Sequence, residues 1–241
     1  MITREIQLAA QIAGAPALDD FTVATTEVDG EILVRTDQVG LAATYLELMR
    51  ADCTIPVPAW QPGRRVGVAA IGTVIRSDSP ELAVGDLVQS MTGWSEYSAG
   101  PAAQYIKLDP IADPGYHLGQ GPTAYYGMAD VAGVGEGDVV FVSGAAGGVG
   151  SLSSQLGGAA ERFPEPDHAA AQARGVELLP FSCHHTADQI AAWREHFGTW
   201  LGEGRFVYPQ TVVKGGIEDV PQAFLSLLQG SYRGNVSVRL S

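Results

Sequence analysis

The chain has 241 residues, enough for one large domain or two modest ones, with 46% hydrophobic and 17% charged residues, an ordinary globular balance. Fourteen Lys and Arg against 27 Asp and Glu leave a net charge of −13, which repels nucleic acid and anionic membrane surfaces and excludes both as expected partners. No run approaches the ~18 apolar residues of a membrane-spanning helix, and the N-terminus lacks a basic-then-apolar leader. Cys53 and Cys183 are the two cysteines, so neither a disulfide framework nor a four-ligand zinc site is expected. Free thiols point to a cytoplasmic protein.

Residues 1 to 115 read as mostly β. Phe21–Glu27, Glu31–Val39, Gly67–Ser77, Leu87–Met91 and Ala103–Leu108 are short runs rich in β-branched and aromatic residues, separated by turn signals. Asp29-Gly30 predicts a two-residue hairpin between the first two runs, and Val84-Gly85-Asp86 a further turn. Such regular short strands predict a barrel-like domain. Pro56, Pro58 and Pro62 frame an extended loop around Trp60.

The character changes after Pro114. Thr123–Ala132 predicts a short helix, followed by a turn and the strand Val139–Val142. The glycine-rich turn Ser143–Gly150 (SGAAGGVG) then opens a helix over Ser151–Leu156. Strand, glycine turn and helix N-terminus in that order are the context in which backbone N–H groups cradle a pyrophosphate. Glu161–His168 reads as a solvated linker and Val176–Phe181 as a second strand of this lobe. Cys183-His184-His185 predicts a loop leading into a helix, since adjacent histidines diverge and no matching cluster exists elsewhere. Thr186–Leu201 is an amphipathic helix with Thr186 or Asp188 as its N-cap, and Ile190, Trp193, Phe197 and Trp200 at helical spacing as a core or interface stripe. The tail returns to β at Phe206–Val213, with a helix over Val220–Gln229 and a last strand over Asn235–Leu240.

An ordered set of motifs carries a family resemblance. It comprises Gly85-Asp86-Leu87-Val88, Gly93-Trp94-Ser95-Glu96-Tyr97, Thr123-Ala124-Tyr125-Tyr126-Gly127, Ser143–Ser151, Gln155 and Ile217–Phe224. The chain resembles the zinc-independent medium-chain dehydrogenase/reductases, in the branch of prostaglandin, leukotriene and curcumin reductases. The resemblance implies an α/β protein: a GroES-like β-barrel substrate domain over 1–115 and 205–241, and a Rossmann-like parallel-sheet lobe over 116–204. It further implies NADPH-dependent reduction of an enone and a homodimer joined along the sheet edge at Val176–Phe181.

Departures from the family pattern set the expected function. A dinucleotide site needs a second strand ending in a ribose-selecting residue about 20 residues after the glycine turn. Here Arg162-Phe163-Pro164-Glu165-Pro166-Asp167 occupies that place, and two prolines exclude a central strand. Each strand–helix unit takes about 30 residues, yet fewer than 20 separate Gly157 from Arg174. The Rossmann lobe is therefore truncated. Where the family places an asparagine near its C-terminus, this chain has Tyr232. The family loop Asp-Pro-Tyr-Met-Arg reads Ala43-Thr44-Tyr45-Leu46-Glu47.

The expectation is a cofactor-free enzyme on a reductase scaffold. It would catalyse a non-redox isomerisation or cyclisation of a hydrophobic, enone- or polyketide-like small molecule in the vacated cleft. Tyr45, Tyr125 and Trp94 are the expected catalytic residues, the tyrosine hydroxyls polarising a carbonyl. Gly144, Gly147 and Gly150 are a remnant phosphate turn. No metal is expected. The alternative is an NADPH-dependent enone reductase, and a second alternative is a non-catalytic binding or scaffold subunit.

Overall fold

The computed structural model describes residues 1–55, 57–109, 113–142, 144–157, 173, 185–205 and 207–241, which fall into two units. The first holds Met1–Gly119, Thr211–Tyr232 and Val236–Ser241; the second holds Gln120–Gln210 and Arg233–Asn235. Three of the sequence expectations, Glu161–His168, Val176–Phe181 and Cys183-His184, lie outside the described residues.

The first unit is built on strands. β1 (Ile2–Leu8) pairs antiparallel with β2 (Phe21–Glu27) in a two-stranded sheet, from Ile2↔Glu27 to Leu8↔Phe21. A larger sheet contains β3 (Ile32–Leu41), β4 (Ala70–Ser77), β5 (Leu87–Ser90), β6 (Tyr97–Gly100), β7 (Tyr105–Lys107), β8 (Gln210–Gly215) and β9 (Asn235–Leu240). Its order is β7-β5-β4-β3-β9-β8, with β6 also on β3, and no pairing among the described residues closes this path into a ring. β3 is the spine. β4 runs along one edge, while β6 takes its first half and β9 its second half on the other. Eight of its ten residues are buried, as a strand covered on both faces requires.

The β-rich, mixed α/β class read from the sequence is the class observed. The Asp29-Gly30 hairpin is not: β2 pairs with β1 rather than β3. Gly30 instead serves close approach, because a Cβ there would lie 2.6 Å from the Gly100 backbone nitrogen. β1 is absent from the sequence reading because its run, Ile2-Thr3-Arg4-Glu5-Ile6-Gln7-Leu8, mixes charges into the alternation.

The main core lies beneath β1, β3 and β9, where Ile6, Leu8, Val39, Trp94 and Val238 pack with α5 (Val220–Leu228). That helix offers Val220, Ala223 and Phe224 at helical spacing, all buried.

The second unit is helical among its described residues. α2 (Gly121–Tyr126) continues as a wider π-type turn through Val131, after the four-residue α1 (Tyr45–Leu48) of the first unit. α3 (Gly148–Gly157) follows the glycine turn, and α4 is Ala187–Gly202. Thr186 caps α4 as expected: its hydroxyl accepts from the Gln189 N–H at 3.2 Å, and Gln189 Oε1 accepts from the Thr186 N–H at 2.9 Å. Trp193 and Phe197 are the buried members of the expected stripe, stacked at 5.0 Å. Val139–Val142, expected as a strand, joins no sheet among the described residues, and Val139 is fully exposed.

Candidate functional site

The glycine turn is built as the sequence suggests. Gly144 adopts φ +63°, a conformation that favours glycine, and its carbonyl accepts the Gly147 N–H at 2.9 Å to close the turn. The Ser151 N–H then bonds the Gly147 carbonyl at 3.0 Å, starting α3. Gly150 sits directly over the turn, so a Cβ there would collide with the Gly144 carbonyl. Ser143, the first residue of the motif, lies outside the described residues.

A groove of about 400 Å³ adjoins this turn. Met128, Phe141, Val142 and Val149 supply apolar walls, and Gly144, Gly147, Gly150 and Ser153 bring backbone and hydroxyl groups. Among the described residues no charged side chain lines it. The donors available to an anion are thus backbone amides at the positive end of a helix dipole. A glycine cradle that one added methyl would fill fits a pyrophosphate.

Behind the turn stands a residue that sequence reasoning did not single out. Asn235 is 8% exposed, and its side-chain oxygen accepts the Gln120 N–H at 2.9 Å. A Cβ on Gly148 would come within 2.8 Å of that oxygen. Next to it, the Gly234 N–H donates to the Ala146 carbonyl at 2.8 Å, and Gly147 and Gly234 form a parallel bridge. The only sequence signal for this arrangement was a Gly-Asn pair at the head of a strand.

Tyr45 and Trp94 occur together, but in the core. Trp94 is 0% exposed and its indole N–H donates to the Gly40 carbonyl at 3.3 Å. It packs among Phe21, Tyr45, Trp60 and Phe224, with ring centroids 5.8–6.2 Å away. Burial pushes the Tyr45 phenol up to about 12, a hydrogen bond with the Ala69 backbone opposing it. Both expected catalytic side chains therefore sit within the packed core of the first unit.

Tyr125 belongs to the second unit, half-buried against Trp193, His196 and Trp200 at 5.7–5.9 Å. Its neighbour Tyr126 donates its hydroxyl to the Gln189 carbonyl at 2.7 Å and packs on His185 at 5.4 Å. Tyr232 is half-buried and packs on the main core of the first unit.

Glu96 is an ion-pair partner of Arg4 at 2.5 Å. The hydrogen bond from Arg4 holds its carboxyl below the ordinary range, against the opposing effect of burial. Glu5 is the most buried carboxylate described, 5% exposed, paired with Arg65 at 2.5 Å. Burial alone would raise its carboxyl, but hydrogen bonds from Gln7, Arg65 and Thr26 outweigh that and hold it below the usual value. Among the described residues no three His, Cys, Asp or Glu side chains gather as a metal site, and no helix is long and apolar enough to cross a membrane.

Residues 4–108 match the family model for the N-terminal domain of oxidoreductase. The chain is 29% identical over 163 residues to the NADPH-dependent curcumin reductase of Escherichia coli (strain K12), covering 62% of this chain and 46% of that protein. It is 29% identical over 166 residues to the 2-alkenal reductase (NADP(+)-dependent) of Nicotiana tabacum, covering 64% and 48%. The chain thus spans about half the length of the curated relatives it matches. CurA from Vibrio vulnificus, solved in complex with NADPH, aligns over 99% of both chains with a TM-score of 0.84 at 20% identity, a likeness of fold.

These relatives overturn the expectation of a cofactor-free, non-redox isomerase or cyclase. That expectation weighed the missing adenosine end of the site above the glycine turn, and the turn is closed from Gly144 onward. Matched N-terminal domain, named relatives and fold agree: residues 4–108 are an N-terminal domain of oxidoreductase, and the chain is similar to the zinc-independent medium-chain dehydrogenase/reductases of the prostaglandin, leukotriene and curcumin reductase branch.

Proposed function

We propose that the protein is an NADPH-dependent reductase acting on the double bond of a hydrophobic α,β-unsaturated carbonyl compound. The observation that carries this reading is the closed glycine turn at the head of α3, beside a groove of about 400 Å³ with apolar walls. Gly144, Gly147 and Gly150 would hold the pyrophosphate through backbone amides, and the apolar walls would exclude water from it. When bound, NADPH supplies a hydride. The substrate class is taken from the relatives, whose names include curcumin, 2-alkenal and prostaglandin reductases.

Tyr125 is half-buried in the second unit, and the reading retains it as a hydrogen-bond donor to the substrate carbonyl. A homodimer, resting on the family resemblance, and a cytoplasmic location, resting on the two cysteines read as free thiols, belong to the same proposal.

Titration with NADPH, followed by nicotinamide fluorescence, is expected to give a micromolar Kd. Adding a 2-alkenal should then consume NADPH with one saturated product formed per cofactor oxidised. Tyr125→Phe should lower turnover and leave the NADPH Kd unchanged. Absence of binding at millimolar NADPH sinks the reading.

A further inference from the structure

We infer that Asn235, with Gly234, is a positioning residue that holds the glycine turn in its anion-binding shape. The inference rests on the reading of that turn as a pyrophosphate cradle.

Three observations converge on this pair. The first is the backbone clamp. The Gly234 N–H donates to the Ala146 carbonyl at 2.8 Å, and Gly234 bridges Gly147. Ala146 and Gly147 lie inside the turn itself, so the clamp fixes the peptide planes that precede α3. Gly234 has φ +70°, and a Cβ there would collide with the Pro209 carbonyl, so the clamp requires glycine on both counts.

The second is the side chain of Asn235. It is 8% exposed, its oxygen accepting the Gln120 N–H at 2.9 Å and its amide nitrogen donating to the Pro209 carbonyl at 3.4 Å. The Asn235 backbone N–H also donates to Pro209, at 2.9 Å. A carboxamide held on both sides in this way cannot rotate without leaving a buried polar group unpaired.

The third is the fit against α3. A Cβ on Gly148 would stand 2.8 Å from the Asn235 oxygen and 3.4 Å from the Gln120 side chain. The first residue of α3 therefore rests on a fixed carboxamide with no space between them. One residue, far away in sequence, sets both the start of α2 and the start of α3.

Such a device suits anion binding by backbone amides. Donors that are already aimed pay no ordering cost when the ligand arrives. If the turn loosens, affinity falls even though no group touching the ligand has been removed.

The test compares wild-type protein with Asn235→Ala, Asn235→Asp and Gly148→Ala by two readouts. Hydrogen exchange at the Ala146–Gly150 amides is measured without ligand, and the Kd for NADPH is measured by fluorescence. Thr186→Ala, a stability loss at the start of a different helix, is the control. In Asn235→Ala and Gly148→Ala the turn amides are expected to exchange at least tenfold faster and the NADPH Kd to rise about tenfold. Thr186→Ala should leave both at wild-type values. Asn235→Asp keeps the oxygen that accepts from Gln120 but loses the donor to Pro209, and its exchange rate is expected to lie between those of wild type and Asn235→Ala.

Turn amides that exchange at the wild-type rate in Asn235→Ala would overturn the inference. So would faster exchange with an unchanged Kd, because the clamp would then serve stability alone. If Asn235→Ala does not fold, Gly148→Ala decides by the same two readouts. A wild-type protein that does not bind NADPH would refute the functional reading instead, with the exchange measurement still deciding whether the clamp exists.

Discussion

Glu5 shows how one side chain can carry a measurable share of stability. Its carboxylate is almost enclosed and is met by Gln7, Thr26 and Arg65, the shortest contact being 2.5 Å to Arg65. Because its folded pKa lies below its unfolded value of about 4.3, its contribution is present above that pH and is lost as pH falls through the lower folded value. Glu5→Gln leaves the Arg65 charge without its partner and is expected to cost about 1–3 kcal/mol at neutral pH. Urea denaturation across the acid range should show a flatter pH dependence for the variant than for wild type. Equal slopes would mean that Glu5 is not the group being titrated. Trp94 teaches the opposite lesson about a single residue. Its motif is a family marker, and its ring is fully buried in the folded chain. Burial is a property of the assembled fold, and a motif of five residues does not contain it.

At the level of elements, the sequence was most legible where a local signal and tertiary packing agree. α4 begins and ends within one residue of its expected span because Thr186 and Gln189 form a complete capping box and Trp193 and Phe197 give the helix a buried side. Thr186→Ala should therefore destabilise the protein by about 1 kcal/mol, read as a lower denaturant midpoint with an unchanged slope. No change in midpoint would show that the cap contributes nothing. β9 matched at both ends for a related reason, since alternate strand residues and a preceding glycine bound it. Legibility failed where partner choice is non-local. Asp29-Gly30 carries the right residues for a hairpin, but β1, a run with weak alternation, competes for β2 and wins along seven residue pairs. The run Val139–Val142 has strand propensity and no ladder among the described residues, because propensity cannot supply a neighbour. Asn235 was read only as the start of a strand. Its role depends on Gln120 and Gly148, neither of which is near it in sequence.

For the whole molecule, the field set by a net charge of −13 opposes a polyanionic cofactor. Among the described residues, the groove beside the glycine turn offers no lining cation to offset it. Lengthening the supply of salt from about 0.01 to 0.1 M shortens the screening length from about 30 to 10 Å. The NADPH Kd is therefore expected to tighten over that range, whereas a lysine- or arginine-lined site would weaken. Weakening, measured by the same fluorescence titration, would assign cations such as Arg162 or Arg174 to the cofactor. The connectivity of β3 has a different consequence, one of timing. Its second half is completed by β9, with Gln38 bonded to Ser237 across 199 positions of chain. At about 5–20 residues per second, a ribosome needs roughly 10–40 seconds to deliver that partner after β3 emerges. Throughout that interval the nascent chain carries an open strand edge flanked by Val39 and Leu41, and its protection falls to whatever chaperone meets it first.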